Sequence, residues 1–218
     1  MKYPDWSAYE LLYARYVDAE KSKHLLDLAE PIAGKDVLDL CGGSGKISFG
    51  ALARDAKSVD LVDQEPDMVD PAILNSAINF YFFNVERFLS NSIDIRKEYD
   101  IVVCQQGINY WFNKNTADDL AQVIRRGGIF VFNTFANKPT WSPIVKQYTL
   151  NGNEYSEMTW LDFDGENIHH VQIMEGLPFH MTQFRWISED YFKVILSSYF
   201  DVQIERRNKT LIFKCIRK

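Results

Sequence analysis

The chain has 218 residues, 46% of them hydrophobic and 25% charged, with a formal net charge of −6. That is the size of one domain, or of one domain carrying a substantial insertion, at an ordinary globular composition. It excludes a disordered, collagen-like or low-complexity chain, no apolar run reaches the roughly 18 residues that span a bilayer, and the acidic balance argues against a partner held through nucleic-acid phosphates. The opening MKYPDWSAYE has no basic segment followed by an apolar one. Cys41, Cys104 and Cys215 lie far apart without metal-like spacing, and an odd cysteine count fits a reducing compartment. The expectation is a cytoplasmic protein with no membrane segment and no metal site. Aromatic residues reach 14%, as 15 Phe, 11 Tyr and 5 Trp.

From Trp6 to Glu30 apolar residues recur at helical spacing, including Tyr9, Tyr13, Tyr16 and then Leu25, Leu26 and Leu28. This predicts two helices, the second closed by Pro31. Asp36 to Leu40 reads as a strand running into the glycine turn CGGSG, and Lys46 to Ala53 as a helix. Val59 to Val62 is a second strand, Pro66 to Asn75 helical, Phe80 to Phe83 a third strand, and Ser90 to Glu98 a polar connection. Tyr99 to Cys104 is a fourth strand, Thr116 to Arg125 a helix ended by Gly127 and Gly128, and Ile129 to Thr134 a fifth strand. Strands apolar on both faces, alternating with helices, predict a parallel sheet covered on both sides.

That alternation stops after residue 135. Residues 154–187 read as a β-meander, with Asp164-Gly165 as a hairpin turn and a second turn at Glu175 to Pro178. Ser188 to Ser198 returns to helix with Ser188 as N-cap, and Phe200 to Glu205 and Thr210 to Ile216 form a closing hairpin. We read one α/β domain over residues 1–218. Its N-terminal helical segment, 1–30, forms a lid, and its antiparallel insertion, 136–187, forms a cap.

The sharpest local feature is VLDLCGGSG at residues 37–45. Glycines after the first strand of an open sheet let the backbone approach a ligand closely. The turn suits a dinucleotide or another nucleoside cofactor. Asp63, ending the second strand, is placed to accept both hydroxyls of a ribose. Asp39 discriminates between the two cofactors. A carboxylate there would oppose the pyrophosphate of NAD at short range and would favour an ammonium.

VLDLCGGSG resembles the first motif of class I S-adenosylmethionine-dependent methyltransferases, with Cys41 where the first glycine is usual. SVDLVDQEPDMVD, residues 58–70, is similar to the second motif. Phe82-Phe83-Asn84-Val85 resembles the third, Tyr99 to Cys104 the fourth-strand motif, and Arg126-Gly127-Gly128-Ile129-Phe130 the turn before strand five. The motifs occur in the family's order over most of the chain. The resemblance implies a Rossmann-like doubly wound sheet, mostly parallel, with a reversed seventh strand supplied by the C-terminal hairpin. It implies S-adenosyl-L-methionine as cofactor and transfer of its methyl group by direct displacement.

On that resemblance Asp39 anchors the methionine end, Cys41 and Gly43 lie in the turn around it, and Asp63 holds the ribose. Gln64 and Met68 border the adenine, with Asn84 and Val85 on its edge. Gln105 lies near the methionine carboxylate, and Tyr16 belongs to a helix folded over the cofactor. After strand four the chain reads Cys104-Gln105-Gln106-Gly107, unlike relatives that methylate adenine or glutamine amides, which favours a small-molecule acceptor. Its walls are expected from Tyr13, Tyr110, Trp111, Trp160, His180 and Arg185. They would form an aromatic pocket suited to a flat, apolar or cationic molecule. Two other readings compete: an NAD-dependent oxidoreductase, and a protein that binds S-adenosylmethionine without catalysis.

Overall fold

The computed structural model describes residues 19–65, 68–94, 97–138, 143–150, 153–165, 167–174 and 180–218. In chain order they form α1 (Ala19–Ala29), β1 (Asp36–Leu40), α2 (Lys46–Leu52), β2 (Ser58–Asp63), a 3-10 helix (Pro71–Asn75), β3 (Ile78–Phe82) and α3 (Val85–Asp94). Next come β4 (Tyr99–Cys104), the short α4 (Ile108–Trp111), α5 (Lys114–Val123), β5 (Ile124–Phe135), β6 (Ile144–Leu150), β7 (Asn153–Phe163) and β8 (Asn167–Met174). The chain ends with β9 (His180–Arg185), α6 (Glu189–Leu196), β10 (Phe200–Arg207) and β11 (Thr210–Arg217).

The main sheet has seven strands in the order β10-β11-β5-β4-β1-β2-β3. β3, β2, β1, β4 and β5 pair in parallel, and β11 runs antiparallel to both β5 and β10. Strands β6 to β9 form a separate antiparallel sheet of four. Alternation along the parallel strands feeds two cores. Leu38, Leu40, Phe130 and Phe132 face one, packed with Phe88, Leu89 and Leu120. Val37, Leu61, Val103 and Val131 face the other, against Leu25 and Leu26 of α1 and Ile47 of α2. The first core is dominated by phenylalanine. Phe132 stacks on Phe213 with ring centroids 4.6 Å apart and on Phe130 at 4.9 Å, and Phe192 tilts against Phe132 at 5.2 Å.

The order of elements follows the sequence pattern, with five corrections. Ser90 to Glu98 is not a polar connection: α3 runs from Val85 to Asp94. Val85, Phe88, Leu89 and Ser92 are its buried stripe, spaced i, i+3, i+4, i+7, and polar residues on the outer face hid it. The helical reading of Pro66 to Asn75 reduces, among its described residues, to the 3-10 helix, started by Asp70 accepting a bond from Ala72 N. Gly127 and Gly128 do not end a helix. They lie within β5, where the register with β4 jumps from Tyr99↔Ile124 to Ile101↔Ile129, and Gly127 takes φ 75°. The short α4 and the strand β6 carry no sequence pattern strong enough to predict them. Of the two N-terminal helices, α1 is described, and the segment from Trp6 to Asp18 lies outside the described residues. Ser188 caps α6 as expected, its Oγ accepting from Tyr191 N at 3.2 Å.

Replacing the buried Phe213, which touches Phe132 and Phe192, by alanine is expected to cost about 3–5 kcal/mol of stability. Denaturant unfolding of the two proteins measures it.

Candidate active site

The carboxyl ends of β1 and β2 meet at the glycine turn. The turn alternates into the left-handed region: Cys41 at φ 55°, Gly43 at φ 49° and Gly45 at φ 79°. Glycine meets that demand without strain. Cys41 does not, and a non-glycine residue held there costs of order 1–3 kcal/mol. A neighbour compensates for its side chain. A Cβ built on Gly107, in the loop after β4, would lie 2.4 Å from Cys41 Cβ and 2.7 Å from its Sγ. Gly107 thus leaves the room that the Cys41 side chain fills. The Cys104 thiol beside Cys41, together with burial, pushes the Cys41 thiol well above the ordinary range, so it is a neutral packing group.

Two carboxylates flank the turn. Asp39 is 1% exposed. Its Oδ2 accepts from Ser48 N at 3.1 Å and Ser48 Oγ at 2.7 Å, whereas its Oδ1 is buried without a partner. Burial pushes the Asp39 carboxyl up to about 7, against the lowering effect of the Ser48 bonds. Asp63 Oδ2 accepts from Gly43 N and Oδ1 from Glu65 N, both at 2.9 Å. Asp63 thus ties the end of β2 to the turn. Burial raises its pKa as well, opposed by those backbone bonds.

Other carboxylates of the main sheet have cations. Asp60, on β2, meets Lys97 and accepts from Tyr99 OH at 2.6 Å. Arg125 grips Asp100 at 2.6 Å and Asp36 at 3.0 Å, where β1 and β4 begin. Among the described residues Asp39 and Asp63 have no such partner. Cations thus bind where β1 and β4 begin, and not at these two carboxyls at the strand ends.

The loop after β4 is fixed from three sides. Gln105 Oε1 accepts from Ser22 Oγ of α1 at 2.6 Å. Gln106 N donates to Asn133 Oδ1 of β5 at 2.9 Å. Thr134 Oγ1 donates to Asn109 Oδ1 at 2.7 Å, and Asn109 Nδ2 donates to the Arg185 carbonyl of β9 at 3.0 Å. Ser22, Ser48, Asn133, Thr134 and Gly107 are thus part of the site's frame, although sequence reading gave them no role in it. The polar pair Asn133-Thr134 inside an apolar strand was the available signal. Tyr110 projects beside this loop with its ring 5.5 Å from Phe184. Desolvation raises its phenol, with Thr182, Cys41 and Asp63 as the neighbours it senses.

The remaining expected site residues scatter. Gln64 is exposed and Met68 half-buried on the segment after β2. Asn84 caps α3, its Oδ1 accepting from Arg87 N at 2.9 Å, and Val85 is in the core. Trp111 is 4% exposed and packs in the core against Phe112, its Nε1 buried without a partner. By register Trp160 and Arg185 lie on the face of the second sheet opposite Phe184. His180 pairs with Gln172. Tyr13 and Tyr16 lie outside the described residues. No group of His, Cys, Asp or Glu among the described residues is arranged to hold a metal ion, and no described helix is long and apolar enough to cross a membrane.

A methyltransferase of Clostridium acetobutylicum dependent on S-adenosylmethionine superposes with a TM-score of 0.71 at 14% identity, over 96% of each chain. The fold is that of the S-adenosylmethionine-dependent methyltransferases. An amino pentose methyltransferase of calicheamicin biosynthesis from Micromonospora echinaspora shares this methyltransferase fold at a TM-score of 0.71 and 11% identity, over 92% of this chain and 89% of that one. A sugar N-methyltransferase from a Streptoalloteichus species shares it at 0.67 and 15%, over 93% and 87%. A family model described as conserved hypothetical protein 95 matches residues 21–98, which includes the glycine turn. No curated protein sequence matches the chain.

Two outcomes follow for this methyltransferase fold. Gly107→Ala is expected to destabilise by about 1–3 kcal/mol through overpacking on Cys41; adding Cys41→Gly recovers most of the loss, a coupling that a double-mutant cycle measures. The folded Asp39 pKa, about 7, exceeds its unfolded value of about 4. The native state therefore holds the extra proton between those limits, and stability falls as pH rises through that window. Asp39→Asn flattens the fall, as read by denaturant unfolding at both ends of the window.

Proposed function

We propose that the protein is an S-adenosylmethionine-dependent methyltransferase acting on a small molecule by direct displacement. One observation carries the reading: the buried Asp39, beside a left-handed glycine turn, keeps an oxygen without a partner. Buried polar atoms are almost always satisfied. A carboxylate oxygen without a cation fits the ammonium of an amino-acid-bearing nucleoside and disfavours a dinucleotide pyrophosphate. The β11 strand reversed between β5 and β10 likewise supports this reading over an NAD-dependent oxidoreductase. Cys41 gave the non-catalytic alternative its only support, and the room left by Gly107 accounts for it.

The cofactor, when bound, supplies a methyl group already activated on a sulfonium. The chain then has little acid–base chemistry to perform, and its task is alignment and exclusion of water. Asp39 Oδ1 would accept from the ammonium. Gly43 and Gly45 would allow close backbone approach, with Cys41 beside them. Asp63 would accept from the ribose with the lone pairs left after Gly43 and Glu65 are served. Gln64, Met68 and Asn84 would border the adenine, and Val85 would contribute through its backbone because its side chain is in the core. Gln105 and Tyr16 would close the methionine end. The net charge of −6 and neighbours that methylate an amino pentose and a sugar support a small-molecule acceptor rather than a nucleic acid.

Titration calorimetry with S-adenosylhomocysteine tests the cofactor. Binding is expected, and Asp63→Ala should weaken it by about 1.5–3 kcal/mol, the scale of hydrogen bonds to a charged group. Binding of NAD with none of S-adenosylhomocysteine would sink the reading.

A further inference from the structure

The two faces of the sheet β6 to β9 differ in kind. The outer face exposes Val145, Met158, Ile173 and Met181. The inner face joins the body of the fold through Phe184, whose ring stacks on Phe135 of β5 at 5.6 Å and lies 5.5 Å from Tyr110. Strand alternation and the β7–β8–β9 register place Glu157, Thr159, His170, Gln172 and Thr182 on the same inner face as Phe184.

A sheet face that served packing alone would be apolar, as antiparallel sheets are on their covered side. Here, beside the apolar Ile168 and Phe184, Glu157, Thr159 and Gln172 are buried. They are also organised: Gln172 Nε2 donates to Glu157 Oε1 at 3.0 Å, and Thr159 Oγ1 lies 2.9 Å from His170 Nε2. His170 stands directly across from Thr182. Thr182 Oγ1 is buried against the Tyr110 phenol, which it contacts and which also senses Asp63. A polar track therefore leads from the insertion towards the glycine turn, and its inner end is the Thr182 hydroxyl beside the Tyr110 phenol. Of the aromatic groups expected to wall this region, Tyr110 stands at this inner end, whereas Trp111 packs in the core and Trp160 lies on the outer face.

We propose that this inner face is the acceptor-recognition surface, and that it selects a hydroxyl- and amine-bearing aliphatic acceptor over a flat aromatic one, with Thr182 and Tyr110 as positioning residues. The inference rests on the methyltransferase reading. Threonine, tyrosine and neutral histidine side chains each offer a donor and an acceptor, which suits several adjacent hydroxyl or amine groups on one ligand. Phe184 supplies an apolar floor for the C–H face of a saturated ring.

Saturation-transfer NMR on the full chain with S-adenosylhomocysteine bound tests the proposal, using the methyl glycoside of an aminohexose as one probe and tyramine as the other. The glycoside is expected to bind and tyramine not to. Thr182→Val should weaken the glycoside at least tenfold and leave S-adenosylhomocysteine affinity and thermal stability unchanged. Thr182→Ser, which keeps the hydroxyl, should retain binding, and Gln183→Ala on the outer face should change nothing. Tyramine binding as well as the glycoside, neither probe binding, or a Thr182→Val variant with full glycoside affinity each overturns the proposal while the cofactor reading stands. Failure of S-adenosylhomocysteine itself to bind overturns the cofactor reading, and this inference with it.

Discussion

Two buried carboxylates with no cation govern the head of this fold. Asp39 and Asp63 sit at the carboxyl ends of adjacent parallel strands, where burial raises both above the usual carboxylate range. Burying a charge without a partner is costly, and the main sheet supplies cations for its other buried or half-buried carboxylates: Lys97 for Asp60, Arg125 for Asp36 and Asp100. The expense at Asp39 and Asp63 is tolerated because each also does structural work. Ser48 fixes one carboxylate at the start of α2, and Gly43 and Glu65 fix the other. The turn, the strand ends and the first turn of α2 are consequently one hydrogen-bonded unit.

The turn shows how a departure from a pattern is absorbed. Cys41 holds a left-handed conformation that glycine would hold freely, and its side chain needs volume that the turn does not contain. Gly107 provides it from the opposite loop. That loop is pinned by Ser22, Asn133, Thr134 and Asn109, so the space is fixed and not created by motion. Asn109 also reaches the backbone of β9, so one loop connects the glycine turn, the main sheet and the insertion.

The insertion has two contrasting faces. Its outer face carries apolar side chains at the surface, and its inner face buries a carboxylate, an amide and a threonine hydroxyl. The same inner face carries Ile168 and Phe184, so polar and apolar groups share the covered side, where each polar group must find a partner.

The sequence alone determined the sheet. Residues apolar on both faces, alternating with helical stretches, dictate buried parallel strands, and β1, β2, β4 and β5 stand where periodicity put them. The carboxylates Asp39 and Asp63 were legible too, because a strand end and a glycine turn fix their place locally. Helix α3 was less legible, since its buried stripe of Val85, Phe88 and Leu89 is narrow among polar neighbours. What only tertiary structure decided was every contact between distant segments. Gly107 makes room for Cys41, Asn133 holds the loop after β4, Trp111 turns into the core, and strand register sends Trp160 outward and Thr182 inward. Local spacing gives a side chain's period, but which face is covered depends on what packs against it, and that is settled only when the whole chain has folded.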